Sequence, residues 1–202
     1  MRLRVGLAAL AVVAVYVVAV GTAPGRHLDA LLPRHDFGSG PWYRAAGQLL
    51  DAIDWLTVGV SGLAIALWAL LRHGARCACW IVVGLAGTYA SPVVLSLALE
   101  HADPLGGEPR GLGAGFYPSG HAAAVAALAL AAVAVAPRGW RPIVAVFGAA
   151  AVAIVGVVIV VVHSHYPSDV VGGWLLAVAW MAAAMSRCRA ASGRALTGSG
   201  MP

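Results

Sequence analysis

Two short motifs of this 202-residue chain contain residue types that could bind an anion and attack it. The first is Pro118-Ser119-Gly120-His121, and the second is His165-Tyr166-Pro167-Ser168-Asp169. Because His165 and Asp169 are four residues apart, the carboxylate can hold one imidazole nitrogen and leave the other free as a nucleophile. The second motif therefore predicts an oriented, nucleophilic histidine.

The first motif has the composition of a helix start that could receive an anion. Ser119 is suited to cap the helix, and Gly120 allows another group to approach the backbone closely. The free amides and the positive end of the helix dipole favour an anion such as phosphate, and His121 would stand just above them. In the second motif Pro167 fits the first position of a helix, which predicts a second helix start.

The elements that must position these motifs are membrane-spanning helices. Hydrophobic residues make up 61% of the chain and charged residues only 10%, against roughly 25% charged in soluble domains. Six uncharged stretches approach the roughly 17–25 residues that cross a bilayer as a helix. They are 5–22, 55–71, 77–99, 119–136, 142–162 and 170–186. We predict an all-α polytopic bundle of about six transmembrane helices, with residues 1–186 as one domain and 187–202 as a disordered cytoplasmic tail.

The distribution of charge predicts the orientation. With six spans, nine arginines fall on the side of the termini and four on the other side, and the chain has no lysine. The first set is Arg2, Arg4, Arg72, Arg76, Arg138, Arg141, Arg187, Arg189 and Arg194; the second is Arg26, Arg34, Arg44 and Arg110. By the positive-inside rule the termini are cytoplasmic and both motifs are extracytoplasmic. The net charge of +5 thus reports membrane topology and not nucleic-acid binding.

Several other segments have simpler interpretations. Residues 5–22 could instead be a cleaved signal peptide, although the apolar run is long for one. The connection 24–54 is expected to be a loop followed by an amphipathic segment around Trp42–Ile53, with aromatic side chains at the lipid headgroups. The cysteines at positions 77, 79 and 188 are expected to be reduced thiols without a function.

The two motifs together resemble those of the type 2 phosphatidic acid phosphatase superfamily. The similarity rests on Pro118-Ser119-Gly120-His121 followed by His165-x3-Asp169, within a longer run that ends in Val170-Val171-Gly172-Gly173. It covers roughly residues 55–186, and the six-span layout matches the bacterial membrane members. The resemblance implies an integral membrane phosphatase acting on a lipid phosphate or diphosphate, glycerolipid or polyprenyl, at the extracytoplasmic face.

The resemblance also implies a role for each motif residue. His165 would attack phosphorus and form a phosphohistidine, Asp169 would orient it, and His121 would protonate the leaving oxygen. Ser119 and Gly120 would donate hydrogen bonds to the phosphoryl oxygens. The implied chemistry needs neither a metal nor another cofactor, and the expected partners are the lipid substrate and the bilayer.

The chain departs from the family pattern at three phosphate-binding cations. The family's Ser-Arg pair before the nucleophile falls on Val158-Ile159 here. In one register Ser96 and Asp103 replace the family's lysine and arginine; in the other, His101 and Glu108 replace them. Losing one preorganised donor typically costs about 10²–10³ in rate. Arg110 is therefore assigned to substrate binding, with Arg34 and Arg44 as further candidate cations.

Two alternatives stay open on the sequence. Without the three cations, the protein could be a non-catalytic member that binds a lipid headgroup or a membrane partner. Alternatively, His121, His163, His165 and Asp169 could ligate a divalent metal, although their spacing is not a specific metal signature. The oligomeric state, the lipid and the pathway are not encoded in any recognisable motif.

Overall fold

A computed structural model describes residues 2–29, 31, 40–98 and 117–197 of the chain. Within these ranges the regular structure is entirely helical, as predicted. The helices are α1 (Arg2–Val15), α2 (Ala23–Asp29), α3 (Pro41–Asp51), α4 (Trp55–His73), α5 (Ala75–Ala98), α6 (Gly120–Val135), α7 (Arg141–Val161) and α8 (Pro167–Thr197). A π-helical turn, Tyr16–Val20, extends α1.

The apolar helices lie where the uncharged stretches predict them. Helices α4, α5, α7 and α8 are each long and apolar enough to cross a bilayer, and α1 with α2 forms a fifth candidate that is bent by 90°. Helix α6 is a shorter apolar helix of 16 residues. The prediction of a polytopic bundle of about six helices is thus confirmed in architecture.

The bend between α1 and α2 follows from the residues at the junction. The Thr22 hydroxyl accepts a hydrogen bond from the Gly25 amide, and Pro24 occupies the first turn of α2, where no amide is needed. A Cβ at Gly25 would lie 2.0 Å from the Val18 carbonyl oxygen, so only glycine permits this close turn. The bend directs α2 away from α1 and determines where Asp29 lies.

Helix α8 is central, packing against α1, α5 and α6. The shared core is made of small residues, with Ala127, Ala131 and Ala177 buried beside Met181. Small side chains let helix backbones approach closely in lipid, where van der Waals packing replaces the hydrophobic effect between helices. The many alanines of these helices therefore account for the close packing of the core.

Helix α3 is the amphipathic segment predicted around Trp42–Ile53. It begins at Pro41, and its buried Leu50 joins a cluster with Val155 and Ile159 of α7. The Tyr43 hydroxyl donates to the Val162 carbonyl at the end of α7, at 3.2 Å. These contacts place α3 at the end of the bundle where α6 and α8 begin, which we call the His165 end.

Two expectations at the other end of the bundle need correction. Cys77 and Cys188 form a disulfide between α5 and α8, whereas reduced thiols were expected; Cys79 is free and exposed. The residues expected to form a disordered tail from 187 onward are helical as far as Thr197. Alanine and arginine are strong helix formers, and the stretch from Arg187 to Ala195 contains both, so α8 continues beyond its apolar part.

Candidate active site

The second motif forms an oriented histidine at the start of α8. His165 Nδ1 lies 3.3 Å from Asp169 Oδ2, and both side chains are buried. The same carboxylate oxygen accepts the Tyr166 amide at 3.1 Å, which fixes its position relative to the turn. A carboxylate beside Nδ1 holds the imidazole in one orientation, so Nε2 is the nitrogen left for chemistry.

The first motif is joined directly to the second by a backbone hydrogen bond. Ser119 is the N-cap of α6, and its hydroxyl accepts the Ala122 amide at 3.4 Å, as the sequence predicted. The Ser119 amide donates to the Asp169 carbonyl at 2.9 Å. Asp169 therefore contacts the nucleophile candidate through its side chain and the α6 start through its backbone.

Glycine permits this close contact between the two helices. A Cβ at Gly173 would lie 2.6 Å from the Ser119 carbonyl oxygen and 3.0 Å from the Ala123 amide nitrogen. A Cβ at Gly172 would lie 2.4 Å from the ring of Tyr117. The Val170-Val171-Gly172-Gly173 run thus has a packing role, because it lets α8 touch the start of α6.

Tyr117 connects the same junction to α1. Its side chain is fully buried, and its hydroxyl donates to the Val12 carbonyl. Its ring centroid lies 5.3 Å from that of Tyr16. The residue that precedes the first motif therefore holds α1 against α6 and α8.

The two motifs open into one small cavity. Its volume is about 150 Å³, and it brings His121 and His165 together although they are far apart in the chain. The remaining lining residues are Ile53, Val58, Tyr89, Pro92, Val93, Pro118, Gly120 and Ala124. Among the residues the structure describes, no arginine lines this cavity.

The described position at which the family has a phosphate-binding arginine is also neutral in this chain. Ile159, at the position of the family arginine, is fully buried in the apolar cluster with Val155 and Val170. Arg44 is described and lies exposed on α3. Arg34 and Arg110 lie outside the described residues, as do His101, Asp103 and Glu108.

Asp29 contacts the second motif in a way that the sequence did not indicate. One of its carboxylate oxygens accepts the Ser168 amide at 2.9 Å, and the other accepts the Ser168 hydroxyl. Burial raises the pKa of Asp29 above its usual 3.8, and the two bonds from Ser168 oppose that shift in part. The contact spans 139 positions of the chain, so no local spacing rule could have found it.

A metal site is not supported by the described part of the chain. In those ranges no three His, Cys, Asp or Glu side chains come close enough to hold an ion. His163 is exposed in the turn after α7 with a positive φ of 60°, whereas His165 is buried. The metal hypothesis from four neighbouring ligands therefore fails on geometry.

Comparison with known proteins places this geometry in context. The family model of the PAP2 superfamily matches residues 92–192, which contain both motifs. A comparison with curated protein sequences finds no match. Among solved structures, the first transmembrane PAP2 type phosphatidylglycerolphosphate phosphatase from Bacillus subtilis is similar, with a TM-score of 0.73 and 16% identity over 91% of this chain and 94% of that one. At that identity the likeness establishes a shared fold.

Proposed function

Because this chain belongs to the PAP2 superfamily, we propose that it is a membrane phosphatase that hydrolyses a lipid phosphate or diphosphate through a phosphohistidine on His165. The observation that carries the proposal is the His165–Asp169 pair, which opens with His121 into one cavity beside the start of α6. The shared fold with a transmembrane lipid phosphatase supports a substrate that reaches the cavity from the bilayer.

In the first step, His165 Nε2 attacks phosphorus while the bond from phosphorus to the lipid oxygen breaks. Asp169 accepts a hydrogen bond from the Nδ1–H group and stabilises the positive charge that develops on the ring. His121 gives its proton to the departing lipid oxygen. The products are a lipid alcohol, or a lipid phosphate from a diphosphate, and a phosphohistidine.

In the second step, water attacks the phosphohistidine. His121, now without its proton, accepts one from the water, and the bond between phosphorus and Nε2 breaks. Inorganic phosphate leaves, and both histidines return to their starting protonation states. The cycle consumes one water and uses groups of this chain alone.

The start of α6 is the proposed cradle for the phosphoryl oxygens. Gly120 lines the cavity, so its amide and the positive end of the helix dipole are near the attacked group. Ser119 caps the helix and positions these amides. This cradle supplies hydrogen bonds but no full positive charge, so a cation from elsewhere has to complete it.

We assign that cation to Arg110. It is the only arginine between Arg76 and Arg138, and it precedes the first motif by a few residues. Replacing it with glutamine should lower kcat/KM about 10²–10³-fold, the usual cost of one preorganised donor to a developing anion. Arg44→Gln serves as the comparison at the same end of the bundle. Equal activity of Arg110→Gln and wild type would show that Arg110 does not bind the phosphoryl group.

The side on which the site opens also belongs to the proposal. The excess of arginine on the side of the termini supports cytoplasmic termini and an extracytoplasmic cavity. Membrane-impermeant labelling of a cysteine introduced at Ser164, which is exposed beside His165, tests this orientation in intact cells. Labelling only after the membrane is permeabilised would show that the cavity opens to the cytoplasm.

The decisive experiment measures phosphate release by the purified chain from phosphatidic acid, phosphatidylglycerolphosphate and a polyprenyl diphosphate. His165→Ala should lower the rate at least about 10³-fold, because it removes the attacking atom. His163→Asn is the matched control: this histidine is exposed two residues earlier, and asparagine tolerates its positive φ. Phosphate release that survives in His165→Ala would overturn the mechanism.

A second function, binding of a lipid headgroup without turnover, is favoured by one observation. The described cavity lining holds two histidines and no basic residue of fixed charge, which is unusual for a site that must stabilise a phosphoryl transition state. This alternative predicts that wild type and His165→Ala release no phosphate but bind a lipid phosphate with equal affinity. The same lipid panel distinguishes the two functions.

A further inference from the structure

A second cavity lies at the end of the bundle opposite His165. It is a groove of about 500 Å³ between α4 and α7, with α6 as its floor. Trp68 forms one wall, Trp140 forms the other, and Ala132 and Ala136 form the floor. Helices α4 and α7 both pack on α6. Because the floor residues between the two tryptophans are small, the groove stays open toward the bilayer.

The groove is apolar, but its rim carries positive charge. Arg72 follows the Trp68 wall by one helical turn, with its guanidinium carbon 5.7 Å from the centre of the Trp68 ring. Arg138 is exposed in the turn that joins Pro137 to Trp140, two residues that line the groove. The chain has no acidic residue from 55 to 99 or from 109 to 168, so no carboxylate of those segments neutralises this rim.

The negative end of the α6 dipole is also covered here. Three carbonyl groups in the last turn of α6 have side-chain partners from α4 and α7. Trp68 Nε1 donates to the Val135 oxygen at 3.3 Å, and His73 Nε2 lies at the same distance from it. Arg141 donates to the carbonyl oxygens of Ala134 and Ala136. With those oxygens occupied, the groove mouth presents positive charge and not free carbonyl oxygens to an approaching group.

We propose that this groove is a binding site for an anionic glycerophospholipid of the surrounding bilayer. One acyl chain occupies the groove between Trp68 and Trp140, and the headgroup phosphate lies against Arg72 and Arg138. An apolar groove ending in exposed arginines complements the two halves of such a lipid, whereas a helix of a second protein copy would offer no matching negative charge. The site is separate from the His165 cavity and does not depend on the proposed hydrolysis.

Titration of the detergent-purified chain with phosphatidylglycerol and with phosphatidylcholine of identical acyl chains, followed by native mass spectrometry, tests the proposal. Wild type should bind phosphatidylglycerol the more tightly. Each arginine near a lipid headgroup contributes enough for roughly a fivefold change, so Arg72→Gln with Arg138→Gln should weaken phosphatidylglycerol binding roughly thirtyfold. Phosphatidylcholine binding should be almost unchanged in this double variant.

Arg187→Gln is the matched control. Arg187 also stacks on a tryptophan, with its guanidinium carbon 5.2 Å from the Trp80 ring centre, but neither residue lines the groove. This variant should change phosphatidylglycerol affinity less than twofold. An effect as large as that of the double variant would show that the preference reflects overall surface charge, and would overturn the groove site.

Ala132→Phe tests the acyl-chain half by filling the groove floor. It should weaken binding of both lipids by a similar factor while leaving helix content and thermal midpoint close to wild type. Should this substitution fail to fold, Ala64→Leu on the α4 wall fills the same groove. Unchanged binding in a folded, filled variant would refute the proposal. So would a change in oligomeric mass without a change in lipid binding, since that result would identify the groove as a contact between copies.

Discussion

The starts of α6 and α8 meet at one site, but their first amides have different partners. At α6 the cap is the side chain of Ser119 itself, and Gly120 faces the cavity. At α8 the Ser168 amide is bound by the carboxylate of Asp29, which belongs to α2. Both starts carry the positive end of a helix dipole, yet an acidic residue already occupies the α8 start. A helix start therefore becomes an anion site only where the fold leaves it open.

This difference separates the proposed roles of the two helices. In the proposed mechanism the α6 start holds the phosphoryl group, and the α8 start holds the nucleophile in place. Asp169 links them, because its side chain contacts His165 and its carbonyl accepts the Ser119 amide. Substitutions at the two starts should consequently have different effects.

The largest effect is expected for Asp169→Asn. The substitution keeps the volume and leaves the Asp169 carbonyl in place, but it removes the charge that orients His165 and stabilises its charged form. We expect kcat to fall about 10²–10⁴-fold with little change in KM, since an orienting carboxylate acts mainly in the transition state. Steady-state phosphate release measures both constants. A rise in KM at unchanged kcat would instead assign Asp169 to substrate binding.

A smaller effect, on stability, is expected where the two starts touch. Gly173→Ala places a Cβ 2.6 Å from a backbone oxygen of Ser119, which side-chain motion cannot relieve. Such overpacking typically costs about 1–3 kcal/mol. At Gly120, by contrast, a Cβ would have Pro92 Cβ as its nearest neighbour, at 3.9 Å, so Gly120→Ala should not destabilise the fold.

Thermal unfolding of both glycine variants in the same detergent, followed by tryptophan fluorescence, measures the change in stability of each. The thermal midpoint should fall for Gly173→Ala and stay level or rise for Gly120→Ala, because alanine is the better helix former. If both variants lost equal stability, Gly120 would be as closely packed as Gly173, and the α6 start would not be open at Gly120.

The hydrogen bond from the Ser168 hydroxyl to Asp29 should contribute about 1 kcal/mol to stability, as one net hydrogen bond does. A double-mutant cycle of Asp29→Ala and Ser168→Ala isolates this coupling from the burial of the carboxylate. Asp54→Ala with Ser168→Ala is the control cycle, because Asp54 caps α4 through Thr57 and shares no hydrogen bond with Ser168. A coupling near zero in the first cycle would mean that the Ser168 hydroxyl adds nothing to the hold of Asp29 on the α8 start.

Local sequence rules predicted the parts of the site that lie within one helical turn. The Ser119 cap, the α8 start at Pro167 and the contact between His165 and Asp169 all follow from spacings of four residues or fewer. The apolar helices follow from hydropathy, because a backbone in lipid must satisfy its own hydrogen bonds and has few alternatives to a helix. These features depend on backbone geometry that is the same in every chain.

Contacts between distant segments were not predictable in this way. The bond from Asp29 to Ser168, the bond from Tyr117 to Val12 and the disulfide between Cys77 and Cys188 each join residues more than a hundred positions apart. Their formation depends on how α1, α2 and α5 pack around α8, which hydropathy does not specify. The role of Gly173 likewise emerges only once α8 lies against Ser119.

The smallest expected effect is a pH dependence with opposite signs at two capping carboxylates. Burial raises the pKa of Asp29 above 3.8, so its protonated form stabilises the fold; that contribution is complete below pH 3.8 and is lost as the pH rises through the folded-state pKa. The Thr57 amide lowers the pKa of the exposed Asp54, so its contribution is present above pH 3.8 and is lost as the pH falls through the lowered pKa.

Thermal midpoints of wild type, Asp29→Asn and Asp54→Asn between about pH 2 and pH 7 test these signs. As the pH falls toward 3.8, wild type should gain stability relative to Asp29→Asn. As the pH falls further, below 3.8, wild type should lose stability relative to Asp54→Asn. Both differences should be small, because each comes from one carboxylate. If both had the same sign, Asp29 would be a solvated cap like Asp54, and the α8 start would be as accessible to an anion as the α6 start.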